Sequence, residues 1–409
     1  MKAHLLLCAY FLTATAFAQG VLVVDDDPGP GVDFNSIQDA INAAAPSEIV
    51  LVRAGSYSES LLVDGKSLVV QAEPGVEFSS FTSILVRNLG PGDEVVLRGL
   101  EVDATTNNQN EILQLRDNAG DVWVEDCTFI GSVLAFFSTP DTVVIDDCAN
   151  VVLSTSTVIG GTAVVLTGGR GIAATNSSVF LQDMVVHGGG GTSGAVADGE
   201  VGGAGVTLTA GFLFANEATV QGGMGGGSGS IFGCGTPGDG GPGLELRAGA
   251  QAFLRNTSLL GGPGGVPEAG CTNDPGADGP PDLIVSGTLQ QTTAPMHSVD
   301  VTSPVRTDET AQIDVVGVPG ELAFMLYSTG LQPVFFPGLF DALLPGAPIA
   351  QFAIGVLDVN GTASLQVQPN LPVGTQGRSL FTQALFFELG SQTVTFGPPR
   401  VVVLLDAAL

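Results

Sequence analysis

The chain is predicted to be all-β: a parallel β-solenoid, closed at its N-terminal end by one helix and followed by a β-sandwich-like domain. Three observations predict this. A ten-residue phrase, apolar-apolar-apolar-x-Asp/Asn-x-x-apolar-x-Gly, recurs from Val95, Val122, Val151, Val179, Phe212 and Ala252. Its third apolar residues, Leu97, Val124, Leu153, Leu181, Phe214 and Leu254, are separated by 27, 29, 28, 33 and 40 positions. Self-similarity at that period marks units that bury their apolar faces only by stacking on one another. Short β-branched runs punctuated by Asn, Asp and Gly make the units strands and bends. Finally, beyond Thr292 the glycine clusters stop and alternating strands begin.

Composition narrows the function classes. The 409 residues carry 41 acidic and 12 basic side chains, a formal charge of −29. That balance argues against nucleic acid or anionic membrane as partner, and makes capture of an acidic polysaccharide depend on bridging cations such as calcium. Glycine, 58 residues, clusters between apolar runs without a collagen period, so it reads as loops on an ordered frame. Met1 to Ala18 reads as a secretory signal: Lys2, an apolar stretch from Leu5 to Phe17, and a small-x-small cleavage site ending at Ala18. The expected location is therefore secreted or cell-surface. Four cysteines remain beyond Cys8, consistent with an oxidising compartment, and no later stretch has the length of a membrane span.

After a first strand at Val21 to Val24, Asp25, Asp26 and Asp27 form an acidic turn. It is a candidate calcium site, although calcium loops usually space their ligands at alternate positions. Ser36 then opens a helix, with Asp39 as capping-box partner and Ile37, Ala40, Ile41 and Ala44 as one apolar stripe. Such a helix belongs outside the solenoid wall, where it would close the first coil. Phe34 to Ile41 (FNSIQDAI) and Gly55 to Glu59 (GSYSE) resemble the Phe-x-x-Ile-Gln-x-Ala-Ile helix and Gly-x-Tyr-x-Glu turn that open right-handed parallel β-helix proteins of the pectin-lyase-like superfamily. Within it the start is most similar to pectin methylesterases. The resemblance covers about 40 residues and implies a right-handed parallel β-helix over 19–291. It also implies a carbohydrate-directed role. Gly65-Lys66-Ser67 fails as a phosphate loop because Ser60 stands where glycine is needed and a strand follows.

Along the coils, the Asp/Asn position holds Gly99, Asp126, Thr155, Asp183, Asn216 and Asn256, residue types that tolerate a left-handed bend. Cys127 and Cys148, 21 residues apart, are expected to bridge neighbouring coils, and Cys234 is expected to pair with Cys271 between successive glycine-rich insertions. The insertions 188–205, 222–243 and 261–281 leave equivalent points of their coils. They should line one side, the best place for function. Residues 292–409 contain about seven alternating strands, with Asn360-Gly361 and Gly397-Pro-Pro as turns, and suggest a sandwich that resembles accessory domains of secreted bacterial proteins.

The resemblance also sets a chemical test. Pectin methylesterases use two aspartates on adjacent coils with glutamine oxyanion donors and an orienting arginine. Here Gln182-Asp183 echoes the Gln-Asp element. The second aspartate element is replaced by GGAGVTLTA, the Gly-Arg-Pro-Trp element is missing, and the single tryptophan, Trp123, sits in a wall strand. A hydrolase would need clustered carboxylates, for which Asp146-Asp147 is the nearest pair, and a lyase would need a basic residue beside a cation, for which Arg170 stands alone between Arg116 and Arg247. The scattered histidines form no metal site or triad. The expected function is thus a non-catalytic glycan-binding or surface-structural protein. The alternative is a polysaccharide lyase, esterase or hydrolase using Asp126, Asp147, Arg170 and Asp183.

Overall fold

A computed structural model of the chain describes residues 19–409 except 80–81, 107–110, 134–139, 163–166, 193–197, 229–233, 270 and 340. The expected signal segment, 1–18, lies outside the described residues. The described residues are almost entirely β, with one helix near the start and two regions of sheet among them.

The first region is a parallel β-helix. Strands pair with their equivalents one coil later, as in Val122↔Val151, Val151↔Val179 and Val179↔Leu213, always parallel. Each middle coil has a long bent strand, such as Leu113–Glu125, Val143–Ser154 or Ile172–Gln182, then a short one, such as Thr128–Ile130 or Thr157–Ile159. The long strand bends where the backbone turns left-handed, at Asp117, Asp147, Asn176 and Ala210, with φ from 48° to 55°. It ends at a second left-handed row: Gly99, Asp126, Thr155, Asp183, Glu217 and Asn256. Inward-pointing Val122, Val124, Val151, Leu153, Val179 and Leu181 stack into one continuous core. Each such side chain, once fully buried, contributes about 1.5–3 kcal/mol.

One register differs from expectation. Leu181 pairs with Ala215, not Phe214, and Gln182 pairs with Asn216. The fifth copy of the phrase therefore begins at Leu213, its left-handed residue is Glu217 rather than Asn216, and Phe214 points outward.

The helix Ile37–Ala43 buries Ile37, Ala40 and Ile41 at the end of the first coil. Ser36 accepts from the Asp39 N–H as a capping side chain does, but the reciprocal partner is Glu59: its carboxylate accepts from Ser36 Oγ and from the N–H groups of Ile37 and Gln38, at 2.7, 2.7 and 3.0 Å. At the other end Lys66 Nζ donates to the carbonyls of Ile41 and Ala44. An anion at the N-terminus and a cation at the C-terminus are the charges a helix favours. The Glu of the Gly-x-Tyr-x-Glu turn and the lysine of the false phosphate loop are both helix caps.

From the last coil the chain passes Thr292 into a second β region. A three-stranded sheet (Ser298–Val301, Ala311–Val316, Thr362–Val367) faces a five-stranded sheet that includes Leu322–Ser328, Gly377–Glu388 and Thr393–Leu405 across their own apolar core. Gly397-Pro398-Pro399 is not a turn: it lies inside the last strand, at a register shift opposite Gln383 and Leu385. The outer surface of the five-stranded sheet lies along the solenoid. Trp123, Val152, Phe180 and Phe214, the middle apolar residues of successive phrases, share a buried cluster with Phe381, Val401 and Val403.

Candidate functional site

The described parts of the three glycine-rich insertions, with 160–162 and 168–171, stack on one another in a regular hydrogen-bonded array. They form two layers: outgoing segments 160–162, 188–192, 222–227 and 261–266, and returning segments 168–171, 199–205, 238–243 and 276–281. Hydrogen bonds zigzag between the layers, from Gly203 N to Gly189 O, Gly223 N to Gly203 O, Gly241 N to Gly223 O, Gly262 N to Gly241 O and Gly279 N to Gly262 O, each 2.7–2.8 Å. Within a layer they repeat every third residue: Gly199, Gly202 and Gly205 donate to Thr236, Asp239 and Pro242, and Gly222 and Gly225 donate to Leu260 and Pro263. Three residues per turn without internal hydrogen bonds is the polyproline II geometry, in which a crowded axis admits only glycine. A Cβ added at Gly223 would meet the Gly189 carbonyl oxygen at 1.9 Å, and one at Gly241 the Gly203 oxygen at 2.1 Å. The absence of a collagen period, expected from composition, is therefore corrected: the period exists inside each short segment, as at 199, 202 and 205, but is broken between segments.

Every third position left free of this packing faces out. The outgoing layer exposes Met224 and Val266, and the returning layer exposes Val201, Asp239 and Asp278. Carboxylates stitch the returning segments: Asp198 accepts from the Thr236 N–H and hydroxyl at 2.8 and 3.0 Å, and Asp239 from the Ala277 N–H at 2.8 Å. The Thr236 backbone bond, then its hydroxyl, holds the Asp198 carboxyl below the usual range. Cys234 and Cys271 are disulfide-bonded, with Cα atoms 5.5 Å apart, and Asn273 Nδ2 donates to the Gly235 carbonyl at 2.6 Å. The result is a platform of two interleaved layers, tied together by hydrogen bonds and the disulfide.

The four candidate catalytic residues occupy three different parts of the coil. Asp126 and Asp183 stand in the left-handed row that ends the long strand, two coils apart. Both are engaged at the seam with the second β region: Asp126 with Arg98 and with Thr155 Oγ1 at 2.7 Å, Asp183 with Arg400 at 3.4 Å. Asp147 belongs to the other bend and accepts from Asn176 Nδ2 at 3.2 Å. Arg170 precedes Ile172–Gln182 and makes a two-pronged pair with Asp141, at 2.9 and 2.7 Å. That carboxylate raises the pKa of Arg170, opposite to what a proton-abstracting arginine requires. At the acidic turn, Asp26 accepts from the Ser56 N–H at 2.9 Å, while Asp25 lies 3.8 Å from Arg53. Burial, then Asp26 and Asp25, push the nearby Tyr57 phenol up to about 12. Among the described residues no group of three or more His, Cys, Asp or Glu is arranged to hold a metal ion.

The Cys127–Cys148 pairing is overturned: both are free, buried thiols. The premise of one coil in 21 residues was at fault, because Cys127 is answered one coil later by Ser156, 29 positions on, whereas Cys148 stacks between Asn118 and Ser177. They occupy different corners. Burial pushes their thiols up to about 12 and about 11.

Sequence reasoning missed a buried polar column. Gln71, Arg98, Glu125, Ser154, Gln182, Asn216 and Arg255 pair in succession, each one position beyond the third apolar residue of its phrase, and all are buried, with Arg98, Glu125, Ser154 and Arg255 bonded to the second β region. Glu125 accepts from Trp123 Nε1 at 2.9 Å, the Val401 N–H at 2.8 Å and Arg98 Nε at 3.3 Å. Arg255 pairs with Asp341, which also accepts from the Phe396 N–H at 2.8 Å. Desolvation raises both the Glu125 and Asp341 carboxyl pKa values, partly offset by their arginines. The available signal was the phrase itself, since a strand with only one buried face should not carry Trp or Phe between two inward residues.

No protein-family profile and no curated protein matches the chain. Among solved structures it is similar to full-length tailspike protein 2 of Escherichia coli O157:H7 bacteriophage CAB120, at 8% identity over 91% of this chain and 66% of that one, with a TM-score of 0.19. The chain thus spans just under two thirds of the tailspike's length.

Proposed function

We propose that the chain is a secreted, non-catalytic β-helix protein that binds a glycan or serves in extracellular architecture, with the glycine-built platform as its working face. What carries the reading is the platform itself: stacked layers of backbone and small side chains that expose Asp, Val and Met, with the described carboxylates Asp198 and Asp239 taken up by the Thr236 and Ala277 N–H groups. The engagement of Arg170 by Asp141, and of Asp126 and Asp183 at the seam, supports the same view. The partner we infer is a polysaccharide or cell-surface glycan, held with calcium where it is acidic. Nucleic acid and membrane insertion have no part in the proposal; no helix among the described residues is long and apolar enough to cross a membrane. The opening motifs, whose Glu59 caps the helix, favour kinship with the pectin-lyase-like superfamily without its esterase chemistry.

The test is incubation of the chain from Gln19 onward with a polysaccharide panel, with and without Ca²⁺, followed by mass spectrometry of products and a retention assay. Retention without product is expected. Shortened, unsaturated or de-esterified products that vanish in Asp147→Ala or Arg170→Ala would establish the alternative, an enzyme on an acidic polysaccharide.

A further inference from the structure

The second β region contains a cavity that the glycan reading does not use. It lies between the two sheets, has a volume of about 320 Å³, and is walled by Ile313, Met325, Phe352, Val402 and Leu404, with Tyr327 towards its mouth. A second lobe of about 290 Å³ shares Tyr327, Asn370, Leu380 and Leu404 with it and adds Ser328, Thr329 and Arg378. The two adjoin at these shared residues, so that an apolar slot within the size range of small-molecule sites lies beside a polar entrance. The strand pattern explains the geometry. On Gly377–Glu388 the residues Arg378, Leu380 and Thr382 share one face, because side chains alternate, and that face looks at the opposing sheet. Phe381, on the other face, looks at the solenoid.

Arg378 is the second observation. In a chain of net charge −29, most cations have a carboxylate or carbonyl partner, yet the guanidinium of Arg378, like that of Arg116, has no hydrogen bond and no ion pair among the described residues. An unanswered guanidinium at the mouth of an apolar slot complements an anionic head on a hydrocarbon chain. We propose that this slot binds a single-chain carboxylate amphiphile of the fatty-acid class, with the alkyl chain between the sheets and the carboxylate on Arg378. Asn370 and the hydroxyls of Ser328 and Thr329 complete the polar rim. A small inorganic anion would leave the apolar slot unfilled, and a neutral chain would leave Arg378 unanswered.

The experiment is calorimetric titration of the chain from Gln19 onward with octanoate, decanoate and dodecanoate below their micellar concentrations, with decan-1-ol and acetate as controls. Saturable one-to-one binding is expected, tightening about fourfold per added methylene. Decanoate should bind at least tenfold more tightly than decan-1-ol, and Arg378→Gln should abolish that preference. Ala311 also lines the slot, and Ala311→Phe, which fills it, should remove alkanoate binding altogether. Arg378→Gln, at the partly exposed rim, keeps the test decisive if the filling variant misfolds. Absence of saturable binding would overturn the proposal, as would binding that Arg378→Gln leaves unchanged. Sedimentation of the chain with phosphatidylglycerol vesicles, without decanoate binding, would also overturn it.

Discussion

The backbone N–H of Val401 donates to Oε2 of Glu125 at 2.8 Å across 276 positions, and the indole N–H of Trp123 donates to the same oxygen at 2.9 Å. One fully buried carboxylate thus ties a solenoid wall strand to the last strand of the chain, with Arg98 neutralising its other oxygen. Removing one partner of such a pair leaves an uncompensated buried charge. Glu125→Ala is expected to cost about 3–5 kcal/mol, and Glu125→Gln less, because it keeps an acceptor for Val401. Denaturant unfolding of the two variants measures the difference. Equal costs would show that the acceptor for Val401 contributes nothing and that the unanswered charge of Arg98 accounts for the whole loss.

Trp123 is the chain's single tryptophan, fully buried with its ring centroid 5.3 Å from that of Phe381. Its fluorescence should therefore report the seam alone: blue-shifted and resistant to acrylamide in the native chain, red-shifted when the second β region leaves the wall. Trp123→Ala should destabilise by about 3–5 kcal/mol. Ready quenching at zero denaturant would mean that this face is open in solution.

How far the sequence discloses this protein differs by level. The coil period, the bends and the capping helix are legible because a repeated burial pattern is a local signal. Which aspartates are spent is not, because their partners are distant: Arg400 is 217 positions from Asp183. The hydrophobic middle residue of each phrase could have disclosed the covered face, since Trp123, Phe180 and Phe214 have no reason to point into water. The sulfur pairing failed on arithmetic, because 21 residues is not a coil. The glycine layers were legible only as loops. Their three-residue period runs for two or three turns in each segment, too short to stand out against clustered glycine.

That packing makes glycine identity matter only where the layers touch. Gly223→Ala and Gly241→Ala place a methyl within about 2 Å of a carbonyl oxygen and should cost at least the 1–3 kcal/mol typical of overpacking. At Gly29 a Cβ would have nothing within 4 Å, so Gly29→Ala should be neutral. Hydrogen exchange localises the effect: the two platform variants should lose protection from 188 to 281 and keep it in 311–405. Tolerance of both alanines would argue against the close approach of the layers.

Thiol chemistry checks the cysteines. With Cys234 and Cys271 bonded to each other and Cys127 and Cys148 buried, the native chain from Gln19 onward should give no reaction with a thiol reagent. In denaturant without reductant it should release two thiols, and peptide mapping should place the label on Cys127 and Cys148. Labels on Cys234 and Cys271 instead would restore the rejected pairing.

The pH dependence of stability should have an unusual sign. Burial, reinforced by Asp121 and opposed by the Leu331 N–H, pushes the Glu94 carboxyl from its ordinary 4.5 up to about 8 in the fold. A carboxyl whose folded pKa lies above its unfolded one takes up a proton on folding. Its contribution is therefore complete below about pH 4.5, declines as pH rises, and levels off above about pH 8. Desolvation raises Asp121, Glu125, Glu217 and Asp341 in the same direction. The midpoint of thermal unfolding should thus fall between about pH 5 and about pH 8, where many proteins hold their maximum. Glu94→Gln keeps an acceptor for the Leu331 N–H, bonded at 2.8 Å, while removing the titration. It should flatten the slope without lowering the acid-side midpoint. An unchanged slope in that variant would mean that Glu94 is ionised in the native protein, and would place the proton uptake on the other buried carboxyls.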